Sequence, residues 1–179
     1  MVHGNALLIP GFMAAAILLA GCGKPSTPSG GAVATPADTT AIPATPISQP
    51  ALSAWRQGDK AGAVAGFLAA DWSAHPLFAA DSALSLSESQ FKALSDADRQ
   101  AKSTELTTQL GVFKQLAAAV TQAGQEAAAK GDPAQARKCF TALKQCGAAL
   151  AGPDSSSLVQ LVGQALSKRA DTELGKLPQ

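Results

Sequence analysis

Tyrosine is absent from this chain of 179 residues, Asn occurs once at Asn5, and Phe and Trp together reach only 4%. So few aromatic faces exclude a platform on which nucleic-acid bases could stack. Surplus charge is missing as well. The 14 Lys and Arg nearly balance 13 Asp and Glu, for a net charge of +1, which leaves no basic patch for a nucleic-acid partner. Histidine is confined to His3 and His75, and the three cysteines stand apart at Cys22, Cys139 and Cys146. That supply cannot build a His-rich or Cys-x-x-Cys metal site, so no metal and no cofactor is expected. Alanine is abundant, with 39 residues, a composition that suits helices.

The longest apolar run, Ala6 to Ala20, is uncharged but broken by Pro10 and Gly11. A spanning helix needs about 20 apolar residues, so this run has the length of a secretory h-region instead. Residues 1–21 contain no Lys or Arg, which reduces the usual basic start to the α-amino group and His3. The run closes on Leu19-Ala20-Gly21-Cys22, which resembles the lipobox of bacterial lipoproteins at all four positions. The resemblance implies a signal peptide over 1–21, cleavage between Gly21 and Cys22, and acylation of Cys22 with diacylglycerol and a further fatty acid such as palmitate. Two or more acyl chains anchor a protein stably where one would not. Gly23 rather than Asp after the lipidated Cys implies, in a Gram-negative cell, the periplasmic face of the outer membrane. The membrane lipid is thus the first expected partner.

Residues 22–50 carry the lipidated Cys and a linker rich in Pro, Ala and Thr, which holds six of the 11 prolines. Such a segment buries too little apolar surface to offset its chain entropy, so it reads as a disordered tether. The folded domain is expected over 51–179 and reads as all-α: five to six helices in antiparallel hairpins, as a compact bundle or a short superhelix. Helices are predicted from about Ser48 to Gln57 and from Lys60 to Asp71, followed by a loop over Trp72–Ala80. A short helix starts at Ser85 or Ser87, with Ser85 and Glu88 at capping-box spacing. A long helix over about Asp96–Lys130 carries the seam Leu106, Leu110, Phe113, Ala117, Val120, Gly124 and Ala127. Asp132 and Pro133 cap the next helix, whose seam is Ala136, Phe140, Leu143, Gly147 and Leu150. A last helix, capped by Ser155–Ser157, is read with Leu158, Val162, Ala165 and Leu166 inward.

Gly58-Asp59, Ala63 and Phe67 recur 73 residues later as Gly131-Asp132, Ala136 and Phe140. This spacing resembles the turn and second helix of a tetratricopeptide repeat, with Gly124 where that family places its first-helix Gly. The resemblance covers two hairpins, about 50–71 and 117–145. It implies paired antiparallel helices that offer a groove to a partner. The offset is not a multiple of 34, and Val120 and Ala127 stand where the family has Trp and Tyr.

Reactive combinations are few. His75 lies in Asp71-Trp72-Ser73-Ala74-His75-Pro76, a nominal Ser–His–Asp set without the Gly-x-Ser-x-Gly elbow that would expose a nucleophile. Ser89-Gln90-Phe91-Lys92 matches the Ser-x-x-Lys of penicillin-recognising enzymes but lacks their companion motifs. Cys139 and Cys146 are seven apart on one helix, about 10 Å in rise, too far to bridge each other. They read either as core thiols or as a pairing between chains. Trp72, Leu77 and Phe78 read as a cover over the bundle end or, for Trp72 and Phe78, as a contact for a protein partner.

The expected function is therefore non-catalytic: a lipid-anchored helical module that binds or scaffolds another protein of the cell envelope. Two alternatives remain at this point. One is an accessory or atypical enzyme acting on the cell wall, the other a carrier of a small apolar ligand, against which the lack of an aromatic cluster counts.

Overall fold

The computed structural model describes residues 45–178; the apolar leader, Cys22 and most of the Pro-rich linker lie outside the described residues. Every regular element among the described residues is helical. In chain order these are α1 (Gln49–Arg56), α2 (Lys60–Ala69), α3 (Glu88–Ala93), α4 (Asp96–Ala129), α5 (Pro133–Leu150) and α6 (Ser157–Leu174), with a 3-10 turn at Ala83–Ser85. The all-helical class read from the sequence is the class the structure shows.

Two turns of the same design make the first two hairpins. Gly58 and Gly131 adopt φ of +81° and +78°, a left-handed conformation that costs a side chain about 1–2 kcal/mol. Asp59 and Asp132 come next, and their carboxylates accept from the amides of Gly62 at 2.8 Å and Gln135 at 2.9 Å. Ala63 and Ala136 are then fully buried against the preceding helix, and Phe67 and Phe140 fill the next layer. The repeat extends to the helix crossing. A Cβ on Gly66 would sit 3.2 Å from the Cα of Ala51, and one on Gly124 would sit 3.0 Å from the Cβ of Cys139. Ala51 corresponds to Gly124 and Gly66 to Cys139, so the two hairpins swap which helix supplies the glycine.

α4 is the spine, packed against α1, α2, α5 and α6 and against the 3-10 turn. Its expected seam is buried from Leu106 to Gly124, joined by Leu116 and Thr121. Thr121 satisfies its hydroxyl by donating to the carbonyl of Ala117 at 2.8 Å. The α5 seam is also buried as read, and Cys139 and Cys146 lie within it, both fully buried.

Three local readings change. The capping box at α3 is Ser87 with Gln90, not Ser85 with Glu88: the Ser87 amide donates to Gln90 Oε1 at 2.9 Å and the Gln90 amide to Ser87 Oγ at 3.2 Å. Ser85 instead closes the 3-10 turn by donating to the carbonyl of Ser82. α2 stops at Ala69, because the indole N–H of Trp72 folds back onto the carbonyl of Phe67 at 3.1 Å and ends the helix. α6 is rolled by about one residue from its expected phase. Leu158 and Ala165 face outward, while Val159, Gly163 and Ala170 are buried beside Val162. The cause is a glycine contact with α5. A Cβ on Gly163 would lie 2.6 Å from the carbonyl of Gly147, and one on Gly147 would lie 2.7 Å from that of Gly163. Backbones that close leave room for only one roll.

The folded part also starts earlier than residue 51. Ile47 packs against the core and Ser48 is 2% exposed, both within the segment whose composition reads as linker.

Candidate functional site

Among the described residues the loop from Asp71 to Ser82 is the longest irregular stretch between helices, and it is held at its middle and at its downstream end. At the middle, the Ile47 and Ser48 amides donate to the carbonyls of Pro76 and Leu77 at 3.0 and 3.2 Å, and Ser48 Oγ donates to Leu77 at 2.6 Å. Ser48 thereby uses its hydroxyl on the loop rather than on capping α1. Downstream, Ser82 Oγ donates to Gln109 Oε1 at 2.8 Å, and the Ala83 amide donates to Glu105 Oε1 at 3.2 Å. Lys102, at 2.7 Å, with the Ala83 amide and Gln109 Nε2, at 2.8 Å, holds the Glu105 carboxyl below the usual glutamate range, against the opposing effect of burial.

Inside the loop, Trp72 and Phe78 turn toward the core. They are 3% and 6% exposed, and with Phe67 they surround Phe113 of α4. Phe78 and Trp72 both meet the Phe113 ring edge-on, at 5.9 and 6.5 Å between centroids. Both rings are held mainly in the core, as a cover over the bundle end, and only their edges are left for a partner to meet. The aromatic cluster whose absence counted against a ligand carrier does exist, but it is packed solid by its own members.

Between this loop and the far end of α5 opens a groove of about 650 Å³. One wall is the loop, with Asp71, Ser73 and His75. The other is formed by Gln145 and Ala148 of α5 and by the Gly152–Ser155 turn into α6. Leu77, Leu84 and the edges of Trp72 and Phe78 supply the apolar surface. Asp71 Oδ1 accepts from both the hydroxyl of Ser73 at 2.6 Å and its amide at 3.1 Å, which lowers the Asp71 carboxyl below its ordinary range. The groove's dimensions suit a ligand or a short peptide.

No family model matches this chain, and no curated protein or solved structure is found to be similar to it. Ser73 donates straight to Asp71 with no imidazole between them, so the nominal Ser–His–Asp set is not assembled around His75. Ser89 shares a hydrogen bond with Ser87 at 3.0 Å, while Lys92 pairs with Glu88 at 3.3 Å, so the Ser-x-x-Lys pair is not in mutual contact. Among the described residues no three His, Cys, Asp or Glu side chains converge as a metal site. The Cys146 thiol is pushed well above its ordinary pKa by burial, and burial raises that of Cys139 too, as suits core thiols rather than nucleophiles. Cys22 and Gly21 lie outside the described residues.

A second, smaller cavity of about 260 Å³ lies on the other side of the loop, edged by Gln49, Arg56, Asp81 and Glu105. Its Glu105 and Gln109 are already engaged in holding the loop down.

One junction has no counterpart in the local sequence pattern. Glu88 Oε2 accepts from the amide of Ser157 at 3.1 Å and from its hydroxyl at 2.9 Å, so α3 supplies the cap of α6 across 69 residues of chain. These bonds, and then Lys92, lower the Glu88 carboxyl below its ordinary value. The nearest signal is Glu88 itself, which the sequence marks only for a local capping box.

Proposed function

We propose that this chain is a lipid-anchored, non-catalytic module of the bacterial cell envelope that binds another envelope protein through the groove between the 71–85 loop and the α5–α6 turn. The groove carries the reading. It is open, walled by elements tied down at several points, and lined by polar and apolar groups without an assembled nucleophile and base. Attachment is assigned to Cys22 through the lipobox Leu19-Ala20-Gly21-Cys22. Among the described residues no helix is long and apolar enough to cross a membrane. In a Gram-negative cell the location proposed is the periplasmic face of the outer membrane. Kinship with tetratricopeptide repeats is part of the proposal, supported by the matched Gly-Asp turns and their paired glycine crossings. A tether of this composition keeps the groove near the membrane surface and raises its effective concentration toward partners held there.

A second reading has one observation in its favour: the apolar surface of the same groove would also take a small apolar ligand. The two are separated by placing a photo-crosslinking amino acid at the exposed position of Ala148 in the native organism. A protein adduct that is lost in Cys22→Ser, together with palmitate-analogue labelling of Cys22, supports the anchored module. No protein adduct, with a small apolar compound extracted from the purified chain, supports the carrier instead.

A further inference from the structure

The charge of the groove is one-sided. Asp71 stands on the loop wall and Asp154 on the α5–α6 turn, and no Lys or Arg lines the space between them. Among the described residues neither carboxylate takes a basic partner, since every ion pair lies elsewhere: Lys92–Glu88, Arg99–Asp96, Lys102–Glu105, Lys144–Asp171 and Lys176–Glu173. The hydrogen bonds from Ser73 fall on one oxygen of Asp71 and leave the other free. A third source of negative potential comes from the backbone. Ala148 and Ala149 in the lining belong to the C-terminal end of α5, the pole of the helix dipole that carries about half a negative charge. The opposite pole, the N-terminus of α6, would attract an anion, but the Glu88 carboxylate already occupies it through Ser157. What remains is an electronegative rim over an apolar floor.

Resting on the reading of this groove as a protein-binding site, we propose that its occupant is an extended segment of a partner protein that carries Lys or Arg beside small aliphatic residues. The cationic heads meet Asp71 and Asp154 near the negative pole of α5, while the aliphatic side chains lie on Leu77 and Leu84. A volume of about 650 Å³ is several times that of one basic side chain, so the space fits a short run of peptide rather than a lone ammonium group. Rim charges of this kind act on recognition and on the association rate, and they select against acidic segments by repulsion.

The test titrates three fluorescent peptides of equal length against the full chain in mild detergent: alternating Lys and Leu, alternating Glu and Leu, and alternating Ser and Leu. The Lys peptide is expected to bind best, with affinity that falls as salt is raised. Asp71→Asn with Asp154→Asn should weaken it about tenfold, and Ala148→Arg, at an exposed site that leaves the core intact, should weaken it at least as much. Equal binding of the Ser or Glu peptide, no binding of any peptide, or an unchanged affinity in the double variant overturns the cationic-segment proposal. A Cys22-dependent crosslink from position 148 in cells would then still support the interaction module. Its absence, with the Lys peptide bound as expected, would count against the module while leaving the groove's charge preference standing.

Discussion

Gly124 of α4 faces the ring of Phe140 on α5 so closely that a Cβ at Gly124 would lie 2.6 Å from Cε1 and 2.8 Å from Cζ. Gly111, earlier on the same helix, has open space where its Cβ would be. The pair separates helix propensity from packing. Alanine is favoured over glycine in a helix by about 1 kcal/mol. Gly111→Ala should therefore stabilise the protein by about 0.5–1 kcal/mol. Gly124→Ala gains the same propensity but must move a ring that is 1% exposed, and overpacking costs about 1–3 kcal/mol, so a net loss is expected. Urea unfolding of the two variants side by side checks both signs. Equal stabilisation would mean that α4 and α5 do not meet here as described.

The Glu88–Ser157 link makes α6 docking sensitive to acid. A carboxyl whose folded pKa lies below its unfolded value adds stability that is fully present above the unfolded pKa, about 4.3 for Glu, and is lost as the pH falls through the lower folded value. Thermal melts of the native protein and Glu88→Ala should thus differ at neutral pH and converge in strong acid. A difference that stays constant across that range would show that the carboxylate is not the cap. Glu105 and Glu173, lowered chiefly by Lys102 and Lys176, add to the same acid sensitivity of the native chain.

Trp72 both ends α2 and closes the aromatic cluster. Trp72→Ala should cost about 3–5 kcal/mol, the range for removing a buried indole. Trp55 is only partly buried, so the blue-shifted part of the tryptophan emission belongs to Trp72. Trp55→Phe is expected to retain it and Trp72→Phe to lose it. A red-shifted spectrum in Trp55→Phe would place Trp72 at the surface, outside the cluster.

Cys139 and Cys146 should be silent to thiol reagents until the protein opens. In Cys22→Ser, a disulfide-forming chromogenic reagent should find no fast-reacting thiol in the native state and two after denaturation. Non-reducing electrophoresis should show a monomer, since both sulfurs are buried in the α5 seam. Rapid native labelling, or a dimer released by reductant, would contradict that burial.

Helix identity was legible where one residue type has one physical use. Gly58 and Gly131 mark left-handed turns, Asp59 and Asp132 cap the helices after them, and the 4-3 spacing from Leu106 to Gly124 marks the buried stripe of α4. The phase of α6 was not legible. Its leucines at 158, 161 and 166 suggest more than one inward face, and only the mutual approach of Gly147 and Gly163 selects among them. The groove was half visible. Asp71, Trp72, His75 and Phe78 stand out as a mixed loop, yet the residues that complete it, Gln145, Ala148 and Asp154, lie about 70 positions away and look like ordinary helix surface and turn.

The sequence by itself determined the helices, the two matching Gly-Asp hairpin turns and the lipobox pattern, because each depends on neighbours within a few residues. Tertiary structure alone decided the roll of α6, the capping of α6 by Glu88, the inward turn of Trp72 and Phe78, and the union of Asp71 with Asp154 across one groove. Those features arise from contacts between segments distant in the chain, where close packing and charge placement, rather than local periodicity, select the arrangement.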